Sequence, residues 1–427
     1  MELQQIAEQA ASSPQMVFTT LAHHMDVEFL HEAYARTRKT KSSGVDQVTA
    51  KEYADNLEAN LIDLYQRMRS GRYFAPPVKR VWIEKEDKSQ RPIGIPAFED
   101  KIVQRAVSML LGAVFNQDFY DFSYGFIEGR SPHQALKVIW EQCTYKANNI
   151  NWILDADVSG FFDNINHKLL REIIKERVND GGLLRYIGKW LNAGVQEGTV
   201  LSYSETGTPQ GGVISPLLAN IFLHHVLDDW FVKEVKTRMK GQCFLVRFAD
   251  DFVIGFEEEE DARRVMTVLT KRFARFDLSI HPKKTKLIRF GRPDTSSISD
   301  DQNETFDFLG FTFYWGKTRK GSWVIKKKTC KKRFKRTMKS LWAWCKDNRH
   351  EPLIEQFKTL CSKLRGHYQY YGVRGNYRLL ELIFKHAERA WRFWLGRRSR
   401  TSNVTWEKFE QLRSTFRFPS PRIVHDI

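Results

Sequence analysis

Two adjacent carboxylates, Asp250 and Asp251, interrupt an apolar run that enters through Leu245-Val246 and leaves through Phe252-Val253-Ile254-Gly255-Phe256. This pattern places the acids on a short turn between two buried strands. Like charges held side by side repel, and that cost is tolerated where a divalent cation neutralises them; hard oxygen ligands of this kind suit Mg²⁺. An Asp-Asp pair alone also suits a solvated turn. A second acidic cluster, Asp155, Asp157 and Asp163, follows the apolar Ile153-Leu154, and its Asp157 lies 93 residues before Asp250. A strand running into Asp157 puts that carboxylate at a strand end, where it can meet the hairpin acids from a neighbouring strand. Three carboxylates from two strands can hold two Mg²⁺ ions, which activate a 3′-hydroxyl and stabilise the charge of nucleotidyl transfer.

The elements that must position these acids are legible in outline. Leu57, Leu61, Leu64 and Met68 recur at helical spacing within a helical N-terminal stretch that stops near Gly71. Strands are expected at Val78–Glu84, Arg91–Pro96, Trp152–Ala156 and Phe306–Tyr314, and helices over Lys101–Phe115, from Pro132, over Lys168–Val178 and Leu183–Ala193, from Pro216, and over Glu257–Phe276. Gly207–Gly212 reads as a turn and Pro293–Asn303 as a loop, and everything beyond Lys331 reads as helical until Pro419-Ser420-Pro421.

At 427 residues, 42% hydrophobic and 28% charged, the chain suits a globular protein of two or three domains. No apolar run reaches the length of a membrane span, and Met1-Glu2-Leu3-Gln4-Gln5 lacks the character of a signal peptide, so the expected location is the cytoplasm, with no membrane partner. The five cysteines, without a Cys-x-x-Cys pair, speak against a disulfide framework and a zinc site. The net charge of +17 is regional: Lys317 to Arg400 carries 25 Lys and Arg against 5 Asp and Glu, leaving about −3 elsewhere. Interleaved with Trp342, Trp344, Tyr368, Tyr370, Tyr371, Tyr377, Trp391 and Trp394, this region offers phosphate contacts and stacking surfaces together. Many of the rings must also be core, since Trp391, Trp394 and Leu395 share one helical stripe. The positive excess points to a polyanionic partner.

Taken in order, the motifs resemble those of a bacterial group II intron-type reverse transcriptase. Gly44-Val45-Asp46 resembles the family's N-terminal extension, Arg91-Pro92-Ile93-Gly94-Ile95-Pro96 its fingers motif, and Ser123-Tyr124-Gly125-Phe126 with Gly129-Arg130-Ser131 the block that follows. Asp157 to Phe162 resembles polymerase motif A, Gly207 to Pro216 motif B, Phe248-Ala249-Asp250-Asp251 motif C, and His281-Pro282-Lys283-Lys284-Thr285 motif D. Phe308-Leu309-Gly310-Phe311 is similar to the primer-grip strand, and Arg365 to Tyr371 to the thumb, or maturase, domain. The resemblance implies an α+β right-hand polymerase, fingers and palm with antiparallel sheet, followed by an α-helical thumb/maturase domain. The expected parts are a helical extension (1–75), fingers and palm (76–315), the helical thumb (316–400) and a short C-terminal tail (401–427).

The implied roles follow position by position. Asp157, Asp250 and Asp251 would hold two Mg²⁺ ions, with Mn²⁺ as a substitute, while Asp155 and Asp163 fill hydrogen-bonding or capping roles. Lys284, beside Lys283 and Lys286, would protonate the leaving pyrophosphate. Arg91 and, more weakly, Lys85 would grip triphosphate oxygens. Phe162, five residues beyond Asp157, would exclude a 2′-hydroxyl and so favour dNTPs, and Gln210 and Gly211 would line the nucleotide pocket. Phe308, Leu309 and Gly310 would steady the DNA primer. Lys326, Lys327, Lys328, Lys331, Lys332, Arg333, Lys335, Arg336, Arg365 and Tyr368 would bind template or intron RNA. A homodimer is left open.

Three departures stand out. Phe248 replaces the more usual Tyr, Phe126-Ile127-Glu128 lacks the usual Arg-Pro, and no Cys- and His-rich nuclease region precedes Ile427, so no DNA cleavage is expected and insertion into DNA would need a nick made elsewhere. The leading expectation is an RNA-dependent DNA polymerase that assists splicing and mobility of its own intron. The alternatives are a host-adopted stand-alone enzyme in defence or repair, and a splicing maturase with little polymerase activity. If 326–339 is the RNA-binding face, RNA affinity measured by filter binding should fall by about 10³ or more between roughly 50 and 200 mM salt. Neutralising that segment should flatten the slope, and a weak salt response would remove the assignment.

Overall fold

The structure, a computed structural model, describes residues 3–39, 42–84, 90–203, 206–207, 211–293, 304–399 and 404–427. The N-terminal helices α1 (Leu3–Ser12), α2 (Val27–Arg36), α3 (Ala50–Ala54) and α4 (Leu57–Arg69) turn Ile6, Ala10, Leu30, Ala33, Leu61 and Leu64 into one core. Local sequence sets their starts: Asp26 accepts from the Phe29 amide at 2.8 Å, and Thr49 with Glu52 forms a capping box. Arg177 ties this region to the rest, gripping Asp118 through two nitrogens and the carbonyls of Ala10, Ser13 and Met16.

A four-stranded sheet follows in the order β2-β1-β4-β5, built from β1 (Val78–Glu84), β2 (Gln90–Ile95), β4 (Val195–Glu197) and β5 (Val200–Ser202). β1 is antiparallel to β2 and parallel to β4. Helix α5 (Phe98–Phe115) is buried almost all round, which explains its unusually apolar sequence. The second sheet carries the acids. Its order is β6-β7-β3-β8, with β3 (Trp152–Ala156), β6 (Cys243–Phe248), β7 (Asp251–Phe256) and β8 (Lys286–Arg289), antiparallel throughout.

Both faces of this second sheet are covered. Leu154, Ala156, Leu245, Phe252 and Ile254 join the core formed with α5, α8 (His167–Lys175), α9 (Gly181–Leu191), α10 (Ser215–Leu223) and α11 (Glu259–Ala274). Ile153, Val246, Val253 and Ile288 face α6 (Pro132–Thr144) and a three-stranded sheet, β9 (Phe306–Phe308), β10 (Phe311–Lys317) and β11 (Trp323–Thr329). Two covered faces account for continuous apolar runs instead of alternation. Between β3 and α8 lies the short helix α7 (Phe161–Asn164).

The C-terminal helices α12 (Lys331–Asp347), α13 (Leu353–Tyr371), α14 (Tyr377–Leu395) and α15 (Trp406–Thr415) enclose a third core around Trp391. Beyond α15 the chain returns, and the amides of Val424 and His425 donate to the Gly372 carbonyl at 2.7 and 2.9 Å. The His425 ring stacks on His133 of α6 with centroids 3.5 Å apart.

The expected α+β architecture with antiparallel sheet and a helical C-terminal part is what the fold contains. Four expectations change. Phe306–Tyr314 is not one strand but a hairpin, turning at Leu309 and Gly310, both with positive φ. A strand, β11, fills part of what looked like the approach to the helices, because it pairs with β10 along its whole length. The boundary expected at 315/316 therefore passes through β10. Nor is 401–427 a tail, since Phe409 and Phe418 sit inside the third core. All five cysteines are free thiols. No helix among the described residues is long and apolar enough to cross a membrane.

Trp391 is 1% exposed, and its indole nitrogen donates to Gln356 at 2.9 Å. Trp391→Ala should lower stability by about 3–5 kcal/mol, measured by urea denaturation of the full chain; a loss under 1 kcal/mol would mean that this core is not close-packed.

Candidate active site

β3 ends at Ala156, paired with Phe252, so Asp157 comes out level with Asp251 at one end of the sheet. Asp250 is the second residue of the β6–β7 turn and Asp251 opens β7, paired with Phe248. Ala249, the first residue of the two-residue loop, has φ +56°. Hairpins normally reserve such a position for glycine, and holding another residue there costs about 1–3 kcal/mol, so surrounding structure must over-determine it. Asp157 is held from the other side. Its carbonyl accepts from the His281 amide at 2.7 Å, its amide donates to the Thr285 hydroxyl at 3.4 Å, and the Lys284 ammonium donates to its carboxylate at 2.9 Å.

The electrostatics record the crowding. Burial, then the charges of Asp250 and Asp157, push the Asp251 carboxyl up to about 6, against the pull of Arg333 and Lys284. Burial raises Asp250 too, with Asp157 adding to the shift and Arg91 and Arg247 opposing it. Asp155, on β3 two residues before Asp157, is pushed to about 7 by burial and by Asp251 and Asp157. Carboxylates that bind protons this readily have unmet demand for positive charge. Their hard oxygen donors fit a divalent ion. Among the described residues no three acidic, His or Cys side chains already close around a common point. The Lys284 ammonium occupies Asp157 instead, and a metal ion binding there would have to displace it.

The other expected residues distribute unevenly around this end. Arg91 lies on β2, exposed and within electrostatic reach of Asp250. Phe161 is buried while its neighbour Phe162 is half-buried at the start of α7. Gly211 has φ +117°, and a Cβ there would come 2.5 Å from the Gly94 carbonyl of β2, so only glycine lets this loop close onto that strand. Lys85 and Gln210 lie outside the described residues. Phe308 is buried, whereas Leu309 and Gly310 form the hairpin tip, where the Tyr370 hydroxyl donates to the Leu309 carbonyl at 2.9 Å.

Of the basic set, Lys328, Lys331, Lys332, Arg333, Lys335, Arg336 and Arg365 are exposed and Lys326 is half-buried. Two expected contacts do not hold. Lys327 is 2% exposed, because alternation along β11 turns it inward over the Trp140 ring, and burial pulls its ammonium down to about 8. Tyr368 is 1% exposed in the third core, so neither side chain offers RNA a surface.

Sequence reasoning gave no role to Arg247, Asp228 or Asn220. Arg247 is fully buried, and its guanidinium meets Asp228 through two nitrogens at 2.8 and 2.5 Å. An arginine inside an otherwise apolar strand was the available signal; a buried arginine requires a partner. Nothing local in the helix marked Asp228 as that partner.

Comparison with known proteins bears on this geometry. The family model described as reverse transcriptase (RNA-dependent DNA polymerase) matches residues 83–313. Group II intron-encoded protein LtrA of Lactococcus lactis subsp. cremoris is 33% identical over 238 residues, covering 55% of this chain and 39% of that protein. Protein YkfC of Escherichia coli (strain K12) is 34% identical over 257 residues, covering 53% of this chain and 67% of that protein. The putative COX1/OXI3 intron 2 protein of Saccharomyces cerevisiae is 29% identical over 245 residues, 55% of this chain and 28% of that protein. The chain thus spans well under half the length of two of these relatives.

Because the acids repel one another, Asp251→Asn should raise the melting point of the protein in EDTA, by the equivalent of about 0.5–1 kcal/mol. If the acids hold Mg²⁺, the ion should raise the melting point of the native chain, and the same change should abolish that rise. Scanning calorimetry with and without Mg²⁺ reads both, and a fall in EDTA would show that Asp251 is held by partners rather than repelled.

Proposed function

The chain belongs to the reverse transcriptase family, and on that premise we propose that it is an RNA-directed DNA polymerase that also binds intron RNA to assist splicing and mobility. The observation that carries this reading is that Asp157 emerges level with Asp251 and beside the Asp250 turn at one end of an antiparallel sheet, inside the stretch that the family model matches. The names of the relatives, intron-encoded proteins among them, support the intron partner.

Asp157, Asp250 and Asp251 would hold two Mg²⁺ ions, replaceable by Mn²⁺, which would supply activation of the primer 3′-hydroxyl and neutralisation of triphosphate charge. The protein's own groups do the rest. Arg91 orients the triphosphate through its guanidinium fork. Lys284 delivers a proton to the departing pyrophosphate. In this reading the half-buried Phe162 ring is the sugar gate, excluding a ribose 2′-hydroxyl and so favouring dNTPs over rNTPs. Gly211 keeps the facing wall of the nucleotide pocket thin, with Gln210 before it in the sequence. Leu309 and Gly310 steady the DNA primer between palm and thumb. The exposed cations of α12 and Arg365 take phosphates of the template and of folded intron RNA. The enzyme works in the cytoplasm, beside its RNA and DNA.

Extension of a DNA primer on an RNA template with dNTPs and Mg²⁺ tests the reading. The native chain should make full-length DNA, and Asp250→Asn should lose activity by a factor of about 10³ or more. Phe162→Ala should narrow the preference for dNTPs over rNTPs by about 10–100-fold. A folded native chain that binds RNA but extends nothing would overturn the polymerase and leave RNA binding alone.

A further inference from the structure

The Asp250–Asp251 turn is held by a three-residue brace that contacts no part of the expected substrate. Arg247 sits at the end of β6, fully buried, with Asp228 fully buried against it. A third guanidinium contact reaches the Asn220 side-chain oxygen at 2.9 Å, and the same nitrogen donates to the Ala249 carbonyl at 3.1 Å. Ala249 is the left-handed residue immediately before Asp250. Asn220 also donates to the Gly125 carbonyl at 2.6 Å. Gly125 in turn presses on the turn: a Cβ there would stand 2.2 Å from the Ala249 nitrogen. The loop carrying Gly125 is stitched to β6 by the Tyr124 amide on the Arg247 carbonyl at 2.8 Å and the Arg247 amide on the Phe122 carbonyl at 2.9 Å.

The helix supplying two of the three residues is built for this. Asn220 lies on α10, and Asp228 ends the π-helical turn His224–Asp228 that continues it. Over eight residues an uninterrupted α-helix would rotate Asp228 about 80° away from Asn220. The wider turn, bonded i to i+5, takes up that excess and brings both side chains to one guanidinium. Such turns are otherwise rare, and this one delivers a carboxylate to the back of the acid turn.

We propose that Asn220, Asp228 and Arg247 are positioning residues that set the pose of the Asp250–Asp251 turn, and through it the affinity of the acid site for divalent metal and the rate of the chemical step. The claim about rate rests on the polymerase reading above; the claim about metal affinity does not. Asn220 is the informative position, because replacing it leaves the Arg247–Asp228 pair intact and cuts the tie to Gly125.

The test uses the full chain, with Mn²⁺ as the probe, its binding followed by electron paramagnetic resonance, beside primer-extension kinetics and thermal melting. Asn220→Leu should weaken Mn²⁺ binding about tenfold and lower kcat about 10–100-fold, with KM for dNTP changed less than threefold. Asn220→Asp, which keeps an oxygen for Arg247 but loses the donor to Gly125, should give an intermediate Mn²⁺ affinity about threefold below native, and if Asn220→Leu does not fold, native affinity in this variant would overturn the proposal. Trp391→Ala, destabilising but remote from the turn, should leave Mn²⁺ affinity within twofold of native. Native affinity in a folded Asn220→Leu chain would overturn the proposal, as would a native chain that binds no Mn²⁺. Native Mn²⁺ binding without primer extension would instead overturn the polymerase reading, and the Mn²⁺ comparison would still decide the brace.

Discussion

Repulsion between like charges is the constraint around which this molecule is arranged. Two unit charges about 4 Å apart near a protein surface cost about 4 kcal/mol, and the sheet end gathers Asp157, Asp250 and Asp251, with Asp155 just behind. Left to itself, such a turn would splay. Instead the sheet is packed on both faces, Asp157 is tied to the 281–285 segment, and the hairpin turn is gripped from behind by Arg247. The Arg247–Asp228 pair is weak evidence for stability in itself, since burying two charges costs nearly what their attraction returns. Losing either partner would strand the other, at about 3–5 kcal/mol, so the pair acts chiefly as a fixed point.

Much of this was legible beforehand, for identifiable reasons. β3 falls where the sequence puts it, since a compact apolar run bounded by polar or turn residues leaves little choice. The acids could be placed because each sits at the end of such a run. What escaped was set by partners distant in the chain. β8 is a short strand among lysines, and it exists because β3 offers it an edge. β11 was hidden by its own charge, since three successive lysines mask the alternation that turns Lys327 inward and leaves Lys328 out. Tyr368 belongs to a dense aromatic segment in which composition cannot say which ring faces the core. The π-helical turn leaves no local trace, and with it the role of Asp228 was invisible.

The basic C-terminal region shows how a strongly cationic surface is kept folded. Its core is almost wholly apolar and aromatic, built on Trp391, Phe409 and Phe418, with the charge pushed to the rim of α12 and α13. It also lies close to the acids, for Arg333 pulls on Asp251 and packs beside Gly310 at the hairpin tip. Opposite charges of the two regions therefore lie close together, and a polyanion spanning both would be attracted by the one and, without cations to neutralise the acids, repelled by the other.

The position of β3 in the chain has a consequence for biosynthesis. It is the second strand of its sheet from one edge, yet both of its neighbours are made later, and Ala156 waits 96 positions for Phe252. At about 5–20 residues per second on a ribosome that is roughly 5–20 s. Throughout, an apolar strand stands with two unpaired edges, the kind of template on which neighbouring nascent chains aggregate. Asp155 and Asp157, spaced to emerge on one face of it, make each copy repel the next. The charges that burden the finished sheet are thus also what keeps the unfinished one single.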